Sequence, residues 1–440
     1  MVDSSSNWRN TVDLLWFPTG GGKTEAYLGV AAFTIFYRQL TKGEAGKGIT
    51  VLMRYTLRML TAQQYERAAS LICECDLLRR QENIPGGEIS IGLWVGSEVT
   101  PNHVVSDNPD LESAESILNK LQSGFVDEVK SSPVQLSTCP YCGEVLEPQN
   151  AYNIQKRHFK THCPNPACPF HDNLPVVTVD DDIYDRKPTL LIGTIDKFAR
   201  LAWEEKTKSI FAEDGIGFPP DLLIQDELHL ISGPLGSIDG LYEIAIEKLI
   251  EHNGKMPKIL ASTATLCNAE AQINALYGKS SFQFPPSGFS IDDSFFARNA
   301  SSEERPGRMY VGYCETGGSL PDAVVRVFGV VKFALQYLSC IGTDSAVIDQ
   351  FWTNVGYFNS LKDLGSADTL IIDRVCAYAE ALRRHKFSDY AAKVDMPRIS
   401  TEYEYGELTS RKSSREITEV RNQLDKQHYP SPAALNYVLS

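Results

Sequence analysis

The chain has 440 residues, of which 42 are Lys or Arg and 56 are Asp or Glu, a formal charge of −14. That length holds two or three domains at about 100–200 residues each, and 42% hydrophobic with 10% aromatic residues excludes a chain disordered by composition. No apolar run reaches the ~18 residues of a membrane span, and Met1-Val2-Asp3-Ser4-Ser5-Ser6 lacks the form of a signal peptide, so a soluble, cytoplasmic protein is expected.

In chain order, Leu14-Leu15-Trp16-Phe17 predicts a buried strand, followed by a Gly-rich turn and an amphipathic helix to about Leu40. Ile49–Met53 predicts a second strand running into a helix that contains Gln63, and Ile89–Val95 a third strand. Strands alternating with helices imply βαβ units and a parallel sheet. Residues 101–182 break this rhythm with an acidic helix, cysteine pairs and Pro-rich loops, which marks an insertion between residues 1–100 and 183–283. The rhythm returns at Thr189–Gly193, Asp221–Ile224 and Lys258–Ala261. Residues 284–308 read as a linker, and 309–440 as part of a second α/β unit.

Pro18-Thr19-Gly20-Gly21-Gly22-Lys23-Thr24 lies between a predicted strand and a predicted helix, the context that a phosphate-binding loop needs. Glycines free backbone N–H groups to wrap phosphates, Lys23 offers a point charge, and Thr24 can ligate Mg²⁺. The strict Gly-x₄-Gly-Lys-Thr pattern fails because position 17 is Phe, so the loop has the shorter form used by superfamily 2 helicases. Downstream, Gln225-Asp226-Glu227-Leu228-His229 ends an apolar strand in two carboxylates. Asp226 can hold the Mg²⁺ shell and Glu227 can polarise an attacking water. His229 is a structural histidine or, as this slot in helicases implies, couples nucleotide state to the next motif. That next motif is Ser262-Thr263-Ala264-Thr265. Arg54, Thr56, Arg58 and Gln63 stand where single-strand contacts are expected, as do Thr194 and Lys197.

Of ten cysteines, Cys139-x₂-Cys142 and Cys163-x₄-Cys168 have the spacing of a tetrahedral, structural Zn²⁺ site. His158, His162 and His171 leave a Cys₃His set open.

Together these motifs resemble a superfamily 2 helicase. More narrowly, the chain is similar to the DrmA family, the helicase-like component of DISARM anti-phage systems. The similarity rests on Leu14–Gly29, Arg54–Arg58, Gln225–Ser237, Ser262–Thr265 and Asp293–Arg298, and runs from about Asp13 to about Phe358. The resemblance implies a RecA-like motor that uses ATP and Mg²⁺. It also implies DNA, single-stranded or with a single-stranded overhang, and a DrmB-like protein as partners. Carried onto this sequence, the nucleotide set is Thr19, Gly20, Gly21, Gly22, Lys23, Thr24 and Glu25, and the catalytic set is Lys23, Asp226, Glu227 and His229.

Val355–Ser360 resembles the first motif of a second RecA-like lobe, and Glu407–Arg411 continues it. No Gln-x-x-Gly-Arg-x-x-Arg follows, and that segment normally supplies an arginine finger. The expectation is therefore a truncated homologue with an incomplete second lobe. It would be a helicase or translocase motor or, alternatively, a nucleotide-dependent DNA-binding or assembly module with little turnover. No nuclease cluster is found. Charge is uneven as well: residues 105–130 carry six acids against two lysines, and residues 51–80 five arginines against three acids. Any DNA path is then expected to be local and salt-sensitive.

Overall fold

The computed structural model describes residues 7–17, 21–56, 58–108, 111–125, 129, 131–252, 256–263, 268–286, 288–290, 298, 300–301, 303–305, 307–314, 317, 319–409, 411–412 and 414–440. The chain divides into two units, Met1–Ser301 and Ser302–Ser440.

In the first unit β1 (Thr11–Trp16) leads through the Gly-rich turn to α1 (Lys23–Lys42), then β2 (Val51–Tyr55), α2 (Arg58–Gln81) and β3 (Ile91–Trp94). The inserted segment adds α3 (Ala114–Gln122), the single turn α4 (Pro148–Ala151), and a two-stranded hairpin of β4 (Tyr152–Gln155) and β5 (His158–Thr161). After β6 (Val176–Val177) and α5 (Asp180–Arg186), the main rhythm resumes with β7 (Leu190–Thr194) and β8 (Leu222–Gln225). It continues with α6 (Gly233–His252), β9 (Lys258–Thr263), α7 (Ala269–Tyr277) and β10 (Ser280–Phe284).

Eight strands form one parallel sheet in the order β10-β1-β9-β8-β2-β7-β3-β6. Strands β2, β3, β7, β8 and β9 are buried at every position, as apolar strands covered on both faces must be. One face packs on α1 and α2 through Tyr27, Ala31, Ile35, Tyr65 and Ile72. The other packs on α5, α6 and α7 through Ile183, Ile246, Ile250 and Ile273. This is a RecA-like α/β sheet, with β9 placed between the phosphate-loop strand β1 and the acidic strand β8. Register Leu15↔Ser262 and Gln225↔Ala261 brings the carboxyl ends of these three strands level. Ligands of open α/β sheets bind at such ends.

The insertion is woven into this body. Its last strand, β6, extends the main sheet, and its Leu146, Tyr152 and Phe159 share one core with Tyr65 and Ile72 of α2.

The second unit contains α8 (Leu320–Cys340), α9 (Ser345–Asp349), β11 (Asn354–Gly356), α10 (Leu361–Ala381) and a π-helical turn, Leu382–Lys386. It closes with α11 (Ser388–Lys393), β12 (Tyr405–Glu407), α12 (Ser414–Lys426) and β13 (Tyr437–Leu439). Its strands form a parallel sheet in the order β11-β13-β12. Helix α8 is long and apolar enough over Pro321–Cys340 to cross a membrane by length and composition, with mean hydropathy 1.4, which corrects the sequence expectation. Asp322 and Lys332 interrupt the apolar run, and one face is a core face, where Val325 and Phe328 meet Leu364 and Ile371 of α10. The helices approach closely at Gly329, where a Cβ would lie 2.7 Å from the Tyr378 ring.

Candidate functional site

The loop expected to bind phosphate follows β1; its Pro18, Thr19 and Gly20 lie outside the described residues, and Gly21 and Gly22 lead into α1. Gly22 caps α1 at φ 83°, a left-handed conformation that strains any side-chain-bearing residue. It aims the first helical turn, with Lys23 and Thr24, across the end of the sheet, where free N–H groups and the helix dipole favour anions. Glu25 is exposed and ion-paired with Arg67 of α2.

Behind this turn the hydroxyl of Tyr27, one turn into α1, lies 3.2 Å from Thr24 Oγ1, 3.0 Å from Tyr55 Oη and 3.0 Å from Asp226 Oδ2. The two residues expected to hold Mg²⁺, Thr24 and Asp226, therefore share one buried partner. Burial and the Asp226 carboxylate push the Tyr27 pKa up, so its proton stays available to donate. Asp226 Oδ1 accepts from Glu227 N at 2.9 Å, and Asp226 N donates to the Arg54 carbonyl at 3.2 Å, which ties the acidic strand end to β2. Glu227 adopts φ 49°, an uncommon conformation for a glutamate. His229 Nδ1 lies 3.4 Å from Glu227 Oε2 and 3.3 Å from Thr263 Oγ1, bridging the ends of β8 and β9. Ser262 is fully buried between them; Ala264 and Thr265 lie outside the described residues.

Three of the expected nucleic-acid contacts are buried. Arg54 is 1% exposed, ion-paired with Glu243 of α6 and 3.5 Å from Tyr277 Oη. Burial opposes its charge, but Glu243, Tyr277 and Asp239 more than offset this and raise the guanidinium pKa. Burial in turn pushes the Glu243 carboxyl up to about 7 against the pull of Arg54. Lys197 bonds Asp180 at 2.7 Å and the Val95 carbonyl at 2.8 Å, and Thr194 is fully buried. These side chains cannot reach a nucleic acid in this conformation; they tie the sheet to its covering helices. Thr56 is half-buried, and the side chains of Arg58 and Gln63 lie outside the described residues.

Cys139, Cys142, Cys163 and Cys168 converge so that all four sulfurs lie within 4.8 Å of one another, with 142–163 at 3.5 Å and 139–168 at 4.0 Å. A tetrahedral ion with Zn–S bonds of about 2.3 Å holds its sulfurs about 3.8 Å apart, so the four thiols fit zinc. Gly143, at φ 77°, closes the first turn with its N–H on the Cys139 carbonyl. Among the described residues no histidine joins the group: His158 turns to Asp182 at 2.7 Å, and His171 bonds the Cys163 carbonyl at 2.8 Å.

No family model matches the chain. DISARM protein DrmA of Bacillus paralicheniformis is 38% identical over 97% of this chain and 41% of its own length. The chain resembles DrmA over nearly all of its own length. It spans about two fifths of the length of that relative. Solved structures with similar folds include the DUF1998 helicase MrfA bound to DNA, at 12% identity over 97% of this chain and 39% of that one, TM-score 0.46. Another is Mycobacterium smegmatis helicase Lhr bound to single-stranded DNA and AMP-PNP, at 12% identity over 98% and 37%, TM-score 0.46.

In this DrmA-like chain the Tyr27–Tyr55 pair is the feature that sequence reasoning missed. Both tyrosines were visible, Tyr27 three residues after Thr24 and Tyr55 at a strand end, but each reads alone as ordinary core. Only the pairing of β2 beside β8 brings them to Asp226.

Proposed function

We propose that this chain is the motor portion of a DISARM-type anti-phage protein, binding ATP with Mg²⁺ and coupling its hydrolysis to binding or movement on DNA. The observation that carries this is the joint placement of Thr24, Tyr27 and Asp226, with Glu227, His229 and Thr263 adjoining, at the level ends of β1, β8 and β9. Lys23 and the backbone N–H groups around Gly20, Gly21 and Gly22 bind the phosphates. Thr24 and Asp226 hold Mg²⁺, which when bound neutralises charge developing on the β- and γ-phosphate oxygens. Glu227 orients the attacking water and accepts its proton as the bond between the γ-phosphorus and its bridging oxygen breaks. His229 and Thr263 pass the state of Glu227 to β9.

In this reading the substrate is single-stranded or overhang-bearing DNA and the partner a DrmB-like protein, as the family resemblance of the motifs implies. Zinc on the four cysteines is structural in this reading, since four thiolates leave no open position. Among the described residues nine cysteines lie outside any disulfide, four of them in this cluster.

The test is ATP hydrolysis with and without single-stranded DNA. Lys23→Ala should lose nucleotide binding, whereas Glu227→Gln should keep binding and lose turnover by a factor of at least about 100. Unchanged turnover in Glu227→Gln would overturn the assignment.

A further inference from the structure

We infer that the second unit carries a single-stranded nucleic-acid subsite of its own, on the π-helical turn Leu382–Lys386 and the helix α11 behind it. The inference deepens the proposed function and rests on its reading that the chain acts on DNA. In a protein of charge −14, residues 383–398 hold five Lys or Arg against two acids, Asp389 and Asp395. Two of the five are structural. Arg383 and Arg384 both bond Glu380, at 2.8 and 2.7 Å, and Glu380 also accepts the Ile399 N–H at 3.0 Å, fixing the turn to the segment beyond. Lys386, Lys393 and Arg398 are exposed and have no acidic partner among the described residues. Unpaired cations gathered on an acidic protein indicate an anionic ligand.

The second observation is an aromatic stack that surfaces between these cations. Phe333 is buried; Phe387 stacks on it with centroids 5.1 Å apart, and Tyr390 meets Phe387 edge-on at 6.2 Å and Tyr337 at 6.4 Å. Tyr390 is nevertheless 55% exposed. Its ring is held by neighbours on two elements and half-presented to solvent, with the Lys393 ammonium 5.5 Å from its centroid and Lys386 beside Phe387. The π turn, closed by Phe387 N–H to the Leu382 carbonyl at 2.8 Å, sets this ring beside the basic segment. Such turns occur frequently at functional sites.

A fixed, half-exposed ring flanked by unpaired cations matches a strand whose bases are free to stack and whose phosphates need neutralising. A duplex hides its base faces, and an acidic polypeptide would use the lysines without using the ring. The ligand class is therefore single-stranded nucleic acid, with a base on Tyr390 and phosphates on Lys386, Lys393 and Arg398.

The experiment is fluorescence anisotropy of the full chain with labelled oligo(dT), titrated with salt. Each single-strand phosphate contact contributes about 0.7 to the slope of log K against log salt. Lys386→Ala/Lys393→Ala/Arg398→Ala should therefore lower the slope by about 2 and weaken binding more than about 10-fold at low salt. Tyr390→Ala should weaken binding about 10-fold with the slope unchanged, and Tyr390→Phe should restore it. If the triple variant melts early, Lys386→Gln and Lys393→Gln singly, each expected to remove about 0.7 of slope, give the same reading. Wild-type affinity and slope in all of these would overturn the subsite while leaving the ATPase assignment of the first unit standing. Failure of the wild type to bind oligo(dT) would overturn both the subsite and the DNA reading beneath it. Displacement by polyglutamate as readily as by unlabelled oligo(dT) would overturn the nucleic-acid class.

Discussion

The Tyr27 hydroxyl donates to Asp226 Oδ2 across 3.0 Å, joining the first helix of the sheet to the acid at the end of β8. Tyr27 has one proton and three oxygen neighbours; the charged carboxylate is the strongest acceptor, so Tyr55 donates to Tyr27 in turn. Asp226 is thereby fixed in rotamer and Thr24 is kept beside it. Tyr27→Phe removes this link without changing the ring. A hydrogen bond to a charged group contributes about 1.5–3 kcal/mol, so the Mg²⁺ concentration for half-maximal ATP hydrolysis should rise about 10-fold or more. Nucleotide affinity measured without metal should hardly move. An Mg²⁺ titration identical to wild type would remove Tyr27 from the site.

His229 bridges Glu227 and Thr263 through Nδ1, and both contacts, at 3.4 and 3.3 Å, are long enough to shorten when the site closes on a ligand. Thr263→Val keeps the shape of the side chain and deletes the hydroxyl. If the bridge carries coupling, the ratio of DNA-stimulated to basal turnover should fall about 5-fold, within the range of a single coupling contact. Equal stimulation in mutant and wild type would assign Thr263 to packing alone.

The glycine-rich loop, the acidic strand end and the cysteine pairs can be read locally, since each is a short pattern whose chemistry needs those residues at that spacing. The structure brings the four cysteines together and sets Thr24 and Asp226 on the shared Tyr27 hydroxyl. The central strands were legible for the same reason: Leu190–Thr194 and Leu222–Gln225 are short apolar runs bounded by turn residues. Edge strands were not. Ser280–Phe284 has too few apolar residues to predict a strand within 183–283, and only pairing with β1 makes it one; the two-residue β6 has no pattern at all. The charges on buried strands misled most. Arg54 looks like a phosphate contact beside its motif, but it sits on a strand covered on both faces. A charge there requires a buried counter-charge, which α6 supplies from 189 residues away. Glu243 and Asp239 are four apart on α6, and nothing local marks them as partners of β2.

Arg54, Glu243 and Asp239 accordingly form a buried cluster with one cation and two acids. Arg54→Met would strand both carboxylates and should destabilise the first unit by about 3–5 kcal/mol, whereas Arg54→Met/Glu243→Leu should recover part of the loss. Because burial holds the Glu243 pKa at about 7, above its ordinary 4.5, the folded state binds the extra proton between those values. The stability contributed by that proton is full below about pH 4.5 and is lost as pH rises through about 7. Denaturant melts of wild type and Glu243→Gln from pH 5 to 8 should show the wild type losing stability relative to the variant across that interval. Parallel profiles would mean that Glu243 stays ionised beside Arg54.

The knuckle braces α2. Phe170, between Cys168 and His171, is buried, meets Tyr141 edge-on at 5.6 Å, and lies under the Arg80 guanidinium at 5.2 Å. Tyr152 and Phe159 of the adjoining hairpin share a core with Tyr65 and Ile72 of α2. Four thiols packed this closely without an ion would be held together by little else, so zinc binding and the order of this core should be linked. Elemental analysis should return one zinc per chain, and chelation or Cys163→Ser should lower the Tm of the first unit by roughly 10 °C. Amide exchange should quicken along α2 as well as in the knuckle, because α2 loses the surface it packs on. Zinc near zero per chain, with a Tm indifferent to chelator, would show that the four cysteines pack as thiols.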